Sequence, residues 1–183
     1  ADRLTAAVTA NNRGWYSSTA DIDVQRVMVI EAALRTCDTD DHVSRALLLS
    51  SWATENVRDS SRRSECLERS AEALALAEQV GDELLLGEVM SHRFTVMYAT
   101  FEDPWGCVDL SNRLTEFADR RGDPGLQLSA AIGLAQASMT LCDFRTADRA
   151  LERAAALAEA MEQPAREWMV RGWQAMCVAM RGD

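Results

Sequence analysis

The side chains best suited to chemistry in this chain are two histidines and five cysteines. His42 and His92 lie outside any H-E-x-x-H motif, and no carboxylates flank them at the spacing of metal ligands. We therefore interpret His42 as a surface residue that opens a helix and His92 as a polar residue within a helix. Neither histidine predicts a catalytic or metal site.

The five cysteines indicate reduced thiols rather than a disulfide framework or a zinc site. They stand at positions 37, 66, 107, 142 and 177, an odd number with no C-x-x-C pair. Cys66 and Cys107 occupy positions where small residues recur, so we expect both to be buried, since a free cysteine packs like a small apolar residue. Cys142 falls in a predicted turn and is expected to be more exposed.

Several classes of enzyme are disfavoured by the composition and motifs of the chain. All nineteen basic residues are arginines, so no lysine can form a Schiff base or serve a phosphate-binding loop. The sequence has no glycine-rich phosphate loop and no G-x-S-x-G motif. We therefore predict a non-enzymatic protein that uses no metal and no cofactor.

The net charge of −10 bears on partners and location. An acidic chain lacks the basic face that neutralises phosphates, so we expect no direct nucleic-acid contact from this segment. No apolar run reaches the roughly 18 residues of a membrane span, and no signal peptide is visible. These features predict a cytoplasmic protein without membrane contact. The Glu and Arg residues between positions 62 and 78 are interpreted as a solvated helix face.

An internal repeat organises the chain. Leu76-Ala77-Glu78 returns as Phe117-Ala118-Asp119 after 41 residues, and as Leu157-Ala158-Glu159 after another 40. The turns Gly81-Asp82 and Gly122-Asp123 follow the first two copies. Because a lone helical hairpin cannot bury its apolar faces, repeated hairpins must present the same face at the same place to form one core.

Each period is predicted to hold two helices, because apolar positions step by three and four and no window alternates with a period of two. Asp, Ser and Pro residues suit the helix starts, and Gly81 and Gly122 suit left-handed helix ends. The first helices are predicted at 42–57, 83–100, 124–141 and 164–180. The second helices are predicted at 61–79, 104–120 and 144–160, and an additional helix at 23–36 follows an N-terminal loop.

The stretch LAQASMTLCDFRTADRALERAAALA, from Leu134 to Ala158, resembles a tetratricopeptide repeat. It has a Leu and a small residue in the first helix, a turn at Cys142-Asp143-Phe144, and Ala147, Leu151 and Ala154 in the second helix. Cysteine replaces the usual turn glycine, and the period exceeds the family's usual length of about 34 residues. The resemblance implies an all-α, right-handed superhelix of stacked antiparallel helical hairpins over residues 40–183.

The predicted segments are an N-terminal loop and helix packing on the array at 1–39, repeats at 40–80, 81–121 and 122–161, and an incomplete repeat at 162–183. The last repeat is incomplete because Gly182-Asp183 stands where Cys142-Asp143 precedes a second helix. We therefore expect an excised domain of a larger protein. In its overall sequence pattern the chain resembles the helical regions of large actinobacterial regulators. Those regulators join a signal-transduction-type ATPase to such repeats, often with a LuxR-type DNA-binding domain at one end.

A concave groove along the first helices is the binding site that the resemblance implies. Within each helix its inward-facing residues step by three, four or seven, as one helical face must, and they mix hydroxyls, an amide and a soft apolar side chain. They are Ser50, Thr54, Ser91, Thr95, Tyr98, Ser129, Gln136 and Met139. Such a groove would suit a peptide or a neighbouring domain, and a merely solvated inner face is the alternative.

The resemblance implies a protein-interaction or sensing domain of a larger transcriptional or signalling regulator, whose partners are neighbouring domains or another protein. Two alternatives stay open: a receptor for a small-molecule effector and a free-standing assembly scaffold. Trp168 and Trp173 lie five residues apart and are expected to point in different directions, one of them as a seam or interface residue. The exposed end at 164–183 could also pair two copies as a dimer.

Overall fold

The computed structural model describes residues 22–182, together with Thr5, Ala7 and Val8. Across these residues the chain is all-α and contains no strand, so the predicted fold class is confirmed. The loop predicted before the first helix lies outside the described residues. The chain divides into two compact units, Ala1–Thr100 and Phe101–Asp183. This division falls between two helices that the sequence assigns to the same period, 81–121.

Four helices of the first unit have both ends within the described residues. They are α1 (Val24–Thr36), α2 (His42–Asn56), α3 (Arg63–Val80) and α4 (Glu83–Thr100), with a 3-10 turn at Ser60–Arg62 before α3. Helix α2 packs against α1, α3 and α4, and α3 packs against α4. One apolar cluster joins Ile30 of α1 to Trp52 of α2, and a second joins Leu49 of α2 to Ala73 of α3 and Val89 of α4. Helix α2 is therefore the centre of this unit.

The second unit repeats the arrangement with four further helices. They are α5 (Pro104–Arg121), α6 (Pro124–Thr140), α7 (Phe144–Ala160) and α8 (Pro164–Arg181). Helix α6 packs against α5, α7 and α8, and α7 packs against α8. A cluster of Met139 on α6, Leu151 on α7 and Cys177 on α8 holds the last three helices together. Since each connection is only two or three residues long, successive packed helices form antiparallel hairpins.

The helix starts recur with the period that the sequence predicts. Helices α2, α4, α6 and α8 begin at His42, Glu83, Pro124 and Pro164, at intervals of 41, 41 and 40 residues. Helices α3, α5 and α7 begin at Arg63, Pro104 and Phe144, at intervals of 41 and 40. The predicted start of α3 at 61 differs by two residues, because Ser60–Arg62 forms a separate 3-10 turn capped by Asp59.

The backbone turns repeat with the same period. Residues with positive φ end the second helix of each period at Gly81, Gly122 and Glu162, with φ of 71°, 64° and 52°. A second series ends the first helices at Phe101, Cys142 and Gly182, with φ of 55°, 58° and 83°. This left-handed conformation is easy for glycine and costs energy for other residues. The turn geometry is thus kept even where the sequence lacks glycine.

Aspartates begin six of the described α-helices. The side chains of Asp23, Asp41, Asp82, Asp103, Asp123 and Asp143 each accept a hydrogen bond from a backbone N–H in the first turn. Such caps satisfy donors that the helix cannot satisfy itself, and each stabilises by about 1 kcal/mol. Hydrogen bonds from Ser44 also lower the pKa of Asp41 below its ordinary value. The short turns between helices are therefore well defined by local sequence.

Candidate functional site

Three predicted groove residues of the first unit, Ser91, Thr95 and Tyr98, lie on α4 and are half-buried. The other two, Ser50 and Thr54, lie on α2, where Thr54 is half-buried. Ser91 donates its hydroxyl to the carbonyl of Gly87 at 3.0 Å, and Thr95 donates to the carbonyl of Ser91 at 3.1 Å. The Tyr98 ring stacks on Phe94, with 5.8 Å between ring centroids. Because both hydroxyl hydrogens are used within the helix, a ligand would find acceptors rather than free donors at these two positions.

The predicted groove residues of the second unit lie on α6. Ser129 is half-buried and donates to the carbonyl of Gly125 at 3.0 Å. Gln136 and Met139 are each only 2% exposed. The Oε1 atom of Gln136 has no hydrogen-bond partner in the described part of the chain. Each group of three residues lies within its own unit, and their joint use as a groove stays a prediction.

His92 is a core residue of the first unit. It is buried on α4, and its Nδ1 lies 3.1 Å from Ser50 Oγ of α2. Ser50 is itself fully buried, so this member of the expected groove instead joins two helices in the core. Burial, followed by the positive charge of Arg26, lowers the pKa of His92 to about 4. The imidazole is therefore neutral at pH 7, which suits a structural hydrogen bond.

Trp52 is enclosed by charged side chains that the sequence alone suggested to be a solvated face. The Arg69 guanidinium lies 3.8 Å from the centroid of the indole, and Arg62 lies 5.5 Å from it. The indole N–H donates to Glu31 at 3.1 Å, and Arg62 donates to Asn56 at 3.1 Å. These contacts join α1, α2 and α3 around an aromatic ring, so their primary effect is on packing.

Three of the five cysteines are buried. Cys66 and Cys107 are buried, as their packing positions predicted, and Cys142 is exposed. Burial is the main reason why the pKa of Cys66 rises to about 11, so it is a thiol rather than a thiolate at neutral pH. Cys177 is also buried and its Sγ lies 3.8 Å from Asp148 Oδ1 and 3.4 Å from an Arg181 nitrogen.

The outer side of α8 is the largest run of exposed apolar residues on one described helix. Its centre line consists of Trp168, Gly172, Ala175 and Ala179, which step by four, three and four and are all exposed. Met176 and Val178 flank the line and are 46% and 50% exposed, while Trp168 is 78% exposed. We call these six residues the α8 face. In contrast, Trp173 is half-buried against the α6–α7–α8 cluster, so the two tryptophans point in different directions.

The repeat shows that this exposure is unusual. One period earlier, the four centre-line positions are occupied on α6 by Leu128, Ile132, Ala135 and Met139. All four are buried, with exposures between 0% and 2%. Helix α6 has packed neighbours on both sides along the repeat, whereas α8 packs only on α7 and α6 among the described elements. The same helical surface is therefore core in one period and open in the next.

Other exposed apolar residues do not form a comparable face. Trp105 is 70% exposed between Pro104 and Gly106, at the first turn of α5. Leu84 is exposed at the first turn of α4. On α1, Val24, Met28 and Val29 are exposed. Single exposed apolar residues are common on protein surfaces.

No group of three or more His, Cys, Asp or Glu side chains in the described part of the chain could hold a metal ion. Within the same residues, no helix is both long and apolar enough to cross a bilayer. No family model matches the chain, and a search of curated proteins finds no match.

Proposed function

We propose that this chain is a non-enzymatic protein-interaction and sensing domain of a larger transcriptional or signalling regulator in the cytoplasm. The observation that supports this role best is the α8 face, on which Trp168, Met176 and Val178 are all exposed. Contiguous exposed apolar residues mark sites of protein association more often than sites of chemistry. The sequence resemblance to helical regions of actinobacterial regulators points the same way.

The composition of the α8 face is typical of an interface. Tryptophan, methionine and arginine are enriched where proteins meet, and the face combines Trp168 and Met176 with Arg171 at its edge. Helix α8 is held from behind by Val170 and Cys177, both buried, so the face is presented on a preformed surface. A preformed surface binds with a smaller entropic cost than a segment that must fold on binding.

In the proposed mechanism, the domain is a scaffold whose occupied and free states favour different arrangements of the rest of the regulator. A partner can shift such an equilibrium only by binding one arrangement more tightly than the other. The α8 face would carry that difference, because covering it removes apolar surface from water in one arrangement only.

The first experiment is to sequence the native gene on both sides of these codons. An ATPase region upstream or a DNA-binding helix pair downstream, in the same frame, would support the regulator. The intact protein with Trp168→Ala should then show altered output, whereas Trp105→Ala should behave as wild type. A gene encoding no other domain would overturn the regulator role and favour a free-standing assembly scaffold.

A second candidate function, an effector receptor, is favoured by one observation. Gln136 is buried and its Oε1 has no hydrogen-bond partner in the described residues, so a ligand donor that reaches it would remove an energetic penalty. A thermal-shift screen with a metabolite panel tests this candidate, because a ligand specific for the folded state raises stability. A shift that persists in the Gln136→Leu variant would exclude this amide as the recognition group.

A further inference from the structure

We draw no further inference here: the strongest candidate, the exposed apolar patch on the α8 face around Trp168, carries none because nothing in the structure shows what covers it.

Discussion

The Arg93 guanidinium of α4 donates to Ser70 Oγ of α3 at 2.7 Å, and to the carbonyl of Leu67 at 2.7 Å. One period later, the equivalent of Ser70 is Ser111, and the equivalent of Arg93 is Leu134. Ser111 Oγ is buried and has no hydrogen-bond partner in the described residues. The second unit thus keeps the hydroxyl of this pair after the arginine has been replaced.

Alanine substitutions at the two serines should therefore have opposite effects. Ser70→Ala removes an acceptor from a charged donor and should lower the free energy of unfolding by about 1–2 kcal/mol. Ser111→Ala removes a buried hydroxyl without a partner and should be neutral or stabilising by up to about 1 kcal/mol. Urea unfolding followed by circular dichroism measures both. Equal losses at the two positions would show that Ser111 has a partner in solution.

The buried histidine predicts a loss of stability in mild acid. The folded-state pKa of His92 is about 4, below its ordinary value of 6.5, so the unfolded chain takes up the proton first as the pH falls. Its contribution is fully present above about pH 6.5 and is lost progressively down to about pH 4, by up to about 3 kcal/mol. Urea unfolding of wild type and His92→Gln from pH 7.5 to 4.5 measures the difference.

The pH slopes of the two proteins separate this histidine from the carboxylates, which also titrate in acid. His92→Gln should be less stable at pH 7.5, because it disturbs the contact with Ser50, but its stability should fall less steeply. A His42→Gln variant controls for replacing a histidine as such. Parallel pH profiles for wild type and His92→Gln would contradict the neutral, buried imidazole.

The left-handed turn residues predict stabilising glycine substitutions. Cys142 and Glu162 adopt φ of 58° and 52°, a conformation that costs about 1 kcal/mol for residues with a Cβ. Because both side chains are exposed, Cys142→Gly and Glu162→Gly should each raise stability by up to about 1 kcal/mol. The reverse change, Gly122→Ala, should destabilise by about 1 kcal/mol or more. Thermal unfolding of the three variants under identical conditions checks the sign of each effect.

The arginine over Trp52 predicts a stability difference between two neighbouring arginines of α3. Arg69 lies 3.8 Å from the indole centroid and pairs with Glu65 at 2.5 Å, so Arg69→Met should cost about 1 kcal/mol. Arg63 is exposed on the same helix, and Arg63→Met should change stability by less than about 0.5 kcal/mol. Urea unfolding followed by tryptophan fluorescence measures both variants. Similar values for the two would show that the cation over the ring contributes nothing measurable.

The positions of the helices could be predicted because they depend on residues close in sequence. Asp143 caps α7 through the N–H of Thr146, three residues away, and Gly122 ends α5 with a φ of 64°. The apolar spacing of each helix and the 41-residue period are likewise visible without a structure. The predicted starts of α2, α4, α5, α6, α7 and α8 agree with the observed ones.

The side-chain surroundings depend on residues far apart in sequence. His92 meets Ser50 across 42 positions, and Trp52 meets Glu31 across 21, so neither contact has a local signal. Burial in the folded unit, followed by the charge of Arg26 on α1, gives His92 its lowered pKa, because desolvation is a property of the surrounding volume.

The sequence by itself determined which segments are helical, where they end and how they repeat, since caps, glycines and apolar spacing act within a few residues. Only the tertiary structure decided which repeated positions are core and which are open. Leu128 and Trp168 occupy the same position of successive periods, yet one is buried and the other is 78% exposed. The physical reason is that burial depends on what packs against a helix, and α6 has a neighbour on that side while α8 has none among the described elements.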